Sequence, residues 1–177
     1  MKKSASLKKM VITALLVAMN IVLVRYLGIT TDLVKINFGF LPLVVVAALY
    51  GPVWGGASFA LADIVGMLIA GGGRTYFPLF TVSEILYGVF YGLILHKREK
   101  SLLNVSFAVI LTTVVIYLAL TPVWNMLYMS IIMGKELPYW SIVVTRLPSA
   151  AIMAAVKIAS IYLLWRYAGK YMTKYSR

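Results

Sequence analysis

Six apolar runs, divided by short polar or basic connections, limit what this chain can fold into more than any other feature. They fall at about 10–27, 38–50, 53–70, 79–95, 102–132 and 139–168. A bilayer core of about 30 Å takes roughly 20 helical residues at about 1.5 Å each. Most of the runs approach or exceed that length. The run at 38–50, FGFLPLVVVAALY, is short and holds Pro42. It is expected either to kink or to bury its N-terminal end in protein rather than lipid. Gly51-Pro52 separates it from the next run. The run at 102–132 is long for one straight span and holds Pro122, which predicts a tilt or kink, and Pro148 falls in the first third of the last run. The first run starts like a signal peptide, but no small-residue cleavage site followed by a soluble domain comes after it, so it reads as a retained helix. The expected fold class is an all-α membrane protein of six transmembrane helices in one domain, residues 1–177, with no internal repeat and no linker.

Composition agrees. The chain is 62% hydrophobic and 12% charged, against about 45–50% and about 25% in soluble proteins. A soluble domain of this size has no room to hide that much apolar surface. These proportions exclude a water-soluble enzyme, a disordered chain and a DNA-binding domain. With no cysteine and only His96, the chain has no disulfides, no thiolate site and no multi-histidine metal site.

The net charge of +12 would suggest nucleic acid in a soluble protein. Its placement points to a membrane instead. Lys2, Lys3, Lys8 and Lys9 precede the first run. Lys97, Arg98 and Lys100 follow the fourth, and Arg166, Lys170, Lys174 and Arg177 end the chain. Basic clusters beside apolar runs mark cytoplasmic flanks. With six spans and a cytoplasmic N-terminus, all three clusters and the C-terminus share the cytoplasmic side, where only Glu99 opposes them. The outer loops are then 28–37, 71–78 and 133–138.

Five ionisable residues lie within the runs: Arg25, Asp63, Glu84, Arg146 and Lys157. Such residues are costly in lipid and usually face the protein interior. By helical rise, Asp63 and Lys157 fall near the midplane, and Glu84, Arg146 and Arg25 nearer the outer face. One reading pairs Asp63 with Lys157 and Glu84 with Arg146 as ion pairs that fix helix docking. The other gives them to a ligand. Arg25, with loop residues Lys35 and Arg74, leaves surplus positive charge on the outer side, suited to an anionic ligand, unless Arg25 snorkels to headgroups. Tyr26, Tyr76, Phe77, Phe80, Trp124, Tyr128, Tyr139 and Trp140 gather at the outer level, as an interfacial belt or as faces for stacking a flat ring. Asn125 is a polar side chain in an apolar run and suits either a ligand or a helix contact. Ala14 and Ala18, Gly51 and Gly55, and Gly88 and Gly92 are small residues four apart, a spacing that lets helices approach closely. No nucleotide-binding P-loop, H-E-x-x-H or G-x-S-x-G motif is present. The chain should therefore not hydrolyse ATP, and an enzyme is disfavoured.

The string FGFLPLVVVAALYGPVWGGASFALADIVGML at 38–68 resembles the folate-family substrate-binding subunit of energy-coupling factor (ECF) vitamin transporters. So does YFPLFTVSEILYGVFYGLIL at 76–95, with its Phe-Pro-x-Phe-Thr start ending at Thr81. Asn125 through Gly134 and Thr145-Arg146-Leu147-Pro148 match further elements, and Ala14-x-x-x-Ala18 matches that family's A-x-x-x-A docking motif. Tyr128, in place of a frequent Trp, the Met-rich segment after Pro122, and Glu84 depart from the pattern. The resemblance implies capture of folate from outside as the specificity component of an ATP-driven transporter in the bacterial plasma membrane, without a cofactor. Its partners would be a transmembrane coupling subunit, docked through Ala14 and Ala18, and two ATPase subunits. The same fold with thiamine, riboflavin or a pantothenate-like acid is the alternative. The expected ligand-binding set is Arg25, Asp63, Tyr76, Phe77, Thr81, Trp124, Asn125, Tyr128, Arg146 and Lys157. In it Asp63 accepts pterin N–H groups, the aromatic residues stack, and the arginines hold carboxylates or polar edges.

Overall fold

A computed structural model describes residues 2–26, 29–30, 35–70, 75–136 and 138–176, with the side chains of 6–24, 37–69, 75–136, 138–169 and 171–172. Its helices are α1 (Lys2–Tyr26), α2 (Phe40–Tyr50), α3 (Pro52–Ala70), α4 (Pro78–Leu95), α5 (Leu102–Thr112), α6 (Thr121–Met133) and α7 (Tyr139–Ser176). A π-helical stretch, Thr113–Leu120, joins α5 to α6. Among the described residues the only strands are β1 (Ile29–Thr30) and β2 (Lys35–Ile36), an antiparallel pair in the loop before α2. Five stretches are long and apolar enough to cross a bilayer: Ser6–Val24, Pro52–Ile69, Pro78–Leu95, Leu102–Met133 and Tyr139–Gly169. The surface agrees. Val53, Leu68 and Leu103 are each about four-fifths exposed, which lipid tolerates and water does not.

The short helix α2 takes the second of its two expected forms. Leu43 through Ala48 are all buried, on every side of the helix, as befits a helix that is apolar all round. Pro42 sits in the first turn, where its missing N–H has no intrahelical acceptor, so no kink results. Asn20 of α1 donates its Nδ2 to the Gly39 carbonyl at 2.7 Å, tying the start of α2 to α1.

The two glycine pairs mesh with each other. A Cβ on Gly88 would fall on the Gly55 carbonyl, and one on Gly92 would fall on Pro52. The backbones of α3 and α4 therefore touch directly, the close approach that small residues permit.

The long run at 102–132 resolves its length by changing helix type. The π stretch ends just before Pro122. The Thr121 N–H and its Oγ1 both reach the Ile116 carbonyl, the latter at 2.8 Å. This i→i−5 pattern absorbs a proline whose ring crowds the preceding turn.

α7 spans 38 residues, about 57 Å at helical rise, so it outruns a bilayer and carries its basic end beyond it. One end of the bundle collects the basic side chains. Lys9 Nζ lies 5.7 Å over the Tyr50 ring, His96 Nδ1 lies 3.2 Å from the Ala48 carbonyl oxygen, and Lys100 Nζ lies 4.9 Å over Trp165.

Candidate ligand-binding site

A cavity of about 380 Å³ lies where α1, α2, α3, α4, the π stretch and α7 converge. A second lobe of about 170 Å³ adjoins it, sharing Asn20, Val24, Leu43, Phe59 and Glu84 as walls. The larger lobe holds Lys157, Tyr87 and Tyr117, and the smaller holds Asp63. Glu84 thus stands at the boundary, between the basic and the acidic lobe.

Helical spacing puts these groups together. On α4, Glu84, Tyr87 and Tyr91 recur at three and four residues and line the larger lobe. Ala150, Met153 and Lys157 do the same on α7. On α1 the inward residues are Thr13, Val17 and Asn20, while Ala14 and Ala18 lie exposed. The ring of Phe59 stacks on Tyr87 at 6.5 Å and on Tyr91 at 6.3 Å, with interplanar angles of 21° and 20°. Lys157 Nζ lies 5.3 Å from the Tyr87 ring centre and 5.6 Å from that of Phe40, so aromatic faces stabilise its charge inside the bundle.

Neither expected ion pair forms among the described residues. Asp63 instead accepts the Thr81 hydroxyl at Oδ2, 2.6 Å away. Thr81 spends its single proton there, so the Tyr76 hydroxyl, 2.7 Å from Thr81 Oγ1, is the donor to it. The guanidinium of Arg146 lies 5.2 Å from the Tyr117 ring centre, and its Nη1 is buried without a hydrogen-bond partner among the described residues. Arg146 thus meets the cavity wall through Tyr117.

The expected stacking residues fall into three separate settings. Phe77, Phe80 and Tyr128 pack on one another, with ring centres 5.6–6.1 Å apart. Tyr76 is 43% exposed and belongs to the Asp63 chain. Trp124 donates its indole N–H to Ser83 Oγ at 3.0 Å, linking α6 to α4. Asn125 Nδ2 is turned back to the Thr121 carbonyl at 2.8 Å. The side chain of Arg25 lies outside the described residues, as does Arg74. The residues missing from the expected set are Asn20, Glu84, Tyr87, Tyr91, Phe59 and Tyr117. For Asn20 and Glu84 the signal was present, a polar side chain in an apolar run, but its helix face had to be known.

A helical bundle with a lipid-facing exterior and a polar, aromatic-walled cavity defines a class: a membrane-embedded protein that binds a small solute. Pockets for small molecules usually measure about 300–1,000 Å³ and combine apolar walls with a few polar groups. The chain belongs to the family of substrate-specific components of ECF transporters, whose model it matches over residues 8–165. It is 33% identical over 157 residues to the folate transporter FolT of Clostridium novyi (strain NT), covering 89% of this chain and 87% of that one. A folate transporter FolT from Leuconostoc mesenteroides is 30% identical over 118 residues, covering 66% and 63%. A crystal structure of FolT bound with folic acid superposes with a TM-score of 0.75 at 34% identity, covering 89% of this chain and 92% of that one.

Proposed function

We propose that this chain captures folate at the outer side of a bacterial cell membrane, as the substrate-specificity component of an ATP-driven ECF transporter. The observation that carries the reading is the two-lobed cavity, with Glu84 between Asp63 and Lys157, in a chain similar to folate transporters along most of its length.

The chemistry of folate fits that arrangement. A pterin presents an amino group and ring N–H donors, which a carboxylate accepts as a fork. Asp63 and Glu84 are the acceptors, and Thr81 fixes the orientation of Asp63. Tyr87, Phe59 and Tyr117 supply flat faces in the larger lobe. Lys157, Arg146 and Arg25 hold the carboxylates or polar edges of the ligand. Phe77 and Tyr128, packed on each other, form with Tyr76 and Trp124 the aromatic side nearest the outer loops and frame the approach to the ligand rather than the walls of the two lobes, and Asn125 offers its amide oxygen.

The N- and C-termini are cytoplasmic and the short helix α2 counts as the sixth span, buried in protein for most of its length. Ala14 and Ala18, exposed on α1, dock the coupling transmembrane subunit, and two ATPase subunits power release. This chain binds and does not catalyse.

Titrating folate into purified protein while following the fluorescence of its four tryptophans tests the reading. Saturable quenching with a dissociation constant below micromolar is expected. Absence of a response to folate, with a response to thiamine or riboflavin, would assign the cavity to another vitamin.

A further inference from the structure

A second polar hollow lies at the basic end of the bundle, away from the two-lobed cavity. It is an open cleft of about 530 Å³ between the loop that precedes α5 and the last third of α7, lined by Glu99, Lys100, Ser101, Tyr162, Trp165 and Arg166. We propose that it is a site for the phosphodiester headgroup of an anionic phospholipid in the adjoining leaflet.

Four observations carry this. Lys100 and Arg166 bring two positive charges to a cleft with one acid, Glu99. Trp165 is only 8% exposed, yet its indole N–H has no hydrogen-bond partner among the described residues. A buried donor left unsatisfied costs free energy, and the ring that carries it forms part of the cleft wall. Ser101 is the N-cap of α5, so the positive end of that helix dipole falls at the cleft. Lys100 Nζ lies 4.9 Å over the Trp165 ring, and its partial burial disfavours its charged form. An anion beside it reverses that penalty.

The surroundings select a lipid over a soluble phosphate. Leu102 and Leu103 follow Ser101 and are 52% and 81% exposed, and Leu163 and Tyr167 on α7 are also exposed. Acyl chains lie against such a surface while the phosphate enters the cleft. Glu99 repels a headgroup carboxylate and accepts from headgroup hydroxyls, which favours a glycerol headgroup over a serine one.

The test is native mass spectrometry of the full chain released from phosphatidylcholine bilayers doped with phosphatidylglycerol. The expected result is preferential retention of phosphatidylglycerol, falling about tenfold in a Lys100→Gln/Arg166→Gln double variant, since each basic group contributes to holding an anionic lipid. Trp165→Phe keeps the ring, removes the donor, and should show a smaller loss. Folate affinity, governed by the other cavity, should be unchanged in every variant and serves as the check on folding, although Trp165→Phe, with three tryptophans left, has a smaller starting signal. If the double variant does not fold, the wild-type lipid preference and the Trp165→Phe comparison still decide. Equal retention of the two lipids, or undiminished retention in the folded variants, would overturn the proposal. So would thermal stabilisation by inorganic phosphate in pure phosphatidylcholine without any phosphatidylglycerol preference.

Discussion

Thr81 donates its hydroxyl to Asp63 Oδ2 at 2.6 Å, and this single bond joins the first turn of α4 to the middle of α3. It fixes one carboxylate oxygen of Asp63 and leaves the other for a partner. A Thr81→Val variant keeps the shape and removes the donor. Hydrogen bonds to charged groups contribute about 1.5–3 kcal/mol. The variant should unfold at lower temperature without ligand and bind folate more weakly, as read by thermal melts and fluorescence titration. Unchanged values in both would mean that Asp63 is held by something else.

The meshing of Gly55 with Gly88 leaves no space for a methyl group. Gly88→Ala must separate two backbones, and overpacking of this kind costs about 1–3 kcal/mol. Gly56→Ala is the control. Its Cβ would meet Val89 Cγ2 at 3.1 Å, a side-chain end that can shift. Thermal melts in detergent should show a clear drop for Gly88→Ala and a smaller one for Gly56→Ala.

The Arg146 guanidinium lies over the Tyr117 ring, and its buried Nη1 has no hydrogen-bond partner among the described residues. Lysine keeps the charge but loses the flat guanidinium face over the ring and the forked donors. Arg146→Lys should therefore weaken folate binding by about tenfold or more, a difference of about 1.4 kcal/mol. Equilibrium titration reads this directly, and wild-type affinity in the variant would remove Arg146 from the site.

Glu84→Gln tests the boundary between the lobes. It preserves size and removes the carboxylate that, in the proposed function, accepts from a pterin's donors. Folate affinity should fall more than in a Glu99→Gln variant at the basic end, which should bind like the parent protein in the same titration.

Much of the fold is legible in the sequence because lipid imposes a length rule. The helix limits Phe40–Tyr50, Pro52–Ala70 and Pro78–Leu95 follow from apolar length, Gly51-Pro52 and the proline at Pro78. The π stretch is less legible. Pro122 announces a disturbance but not its form, since a kink and a change of hydrogen-bond register relieve the same clash. The site is half legible. Intramembrane charge singles out Asp63, Glu84, Arg146 and Lys157, but pairing them by depth alone ignores rotation about each helix. That rotation turns Asp63 to Thr81 and sets Lys157 over Tyr87 and Phe40. Aromatic content near the outer loops does not separate rings that pack on one another, such as Phe77 and Tyr128, from rings that wall a cavity, such as Tyr87 and Phe59.

The most direct test is native mass spectrometry of the full chain purified from folate-fed cells without added ligand. One bound molecule with the mass of folate or a reduced folate is expected, lost in a Glu84→Gln/Lys157→Met variant that still folds. A bound species with the mass of another vitamin, or a folate adduct that survives in that variant, would contradict it.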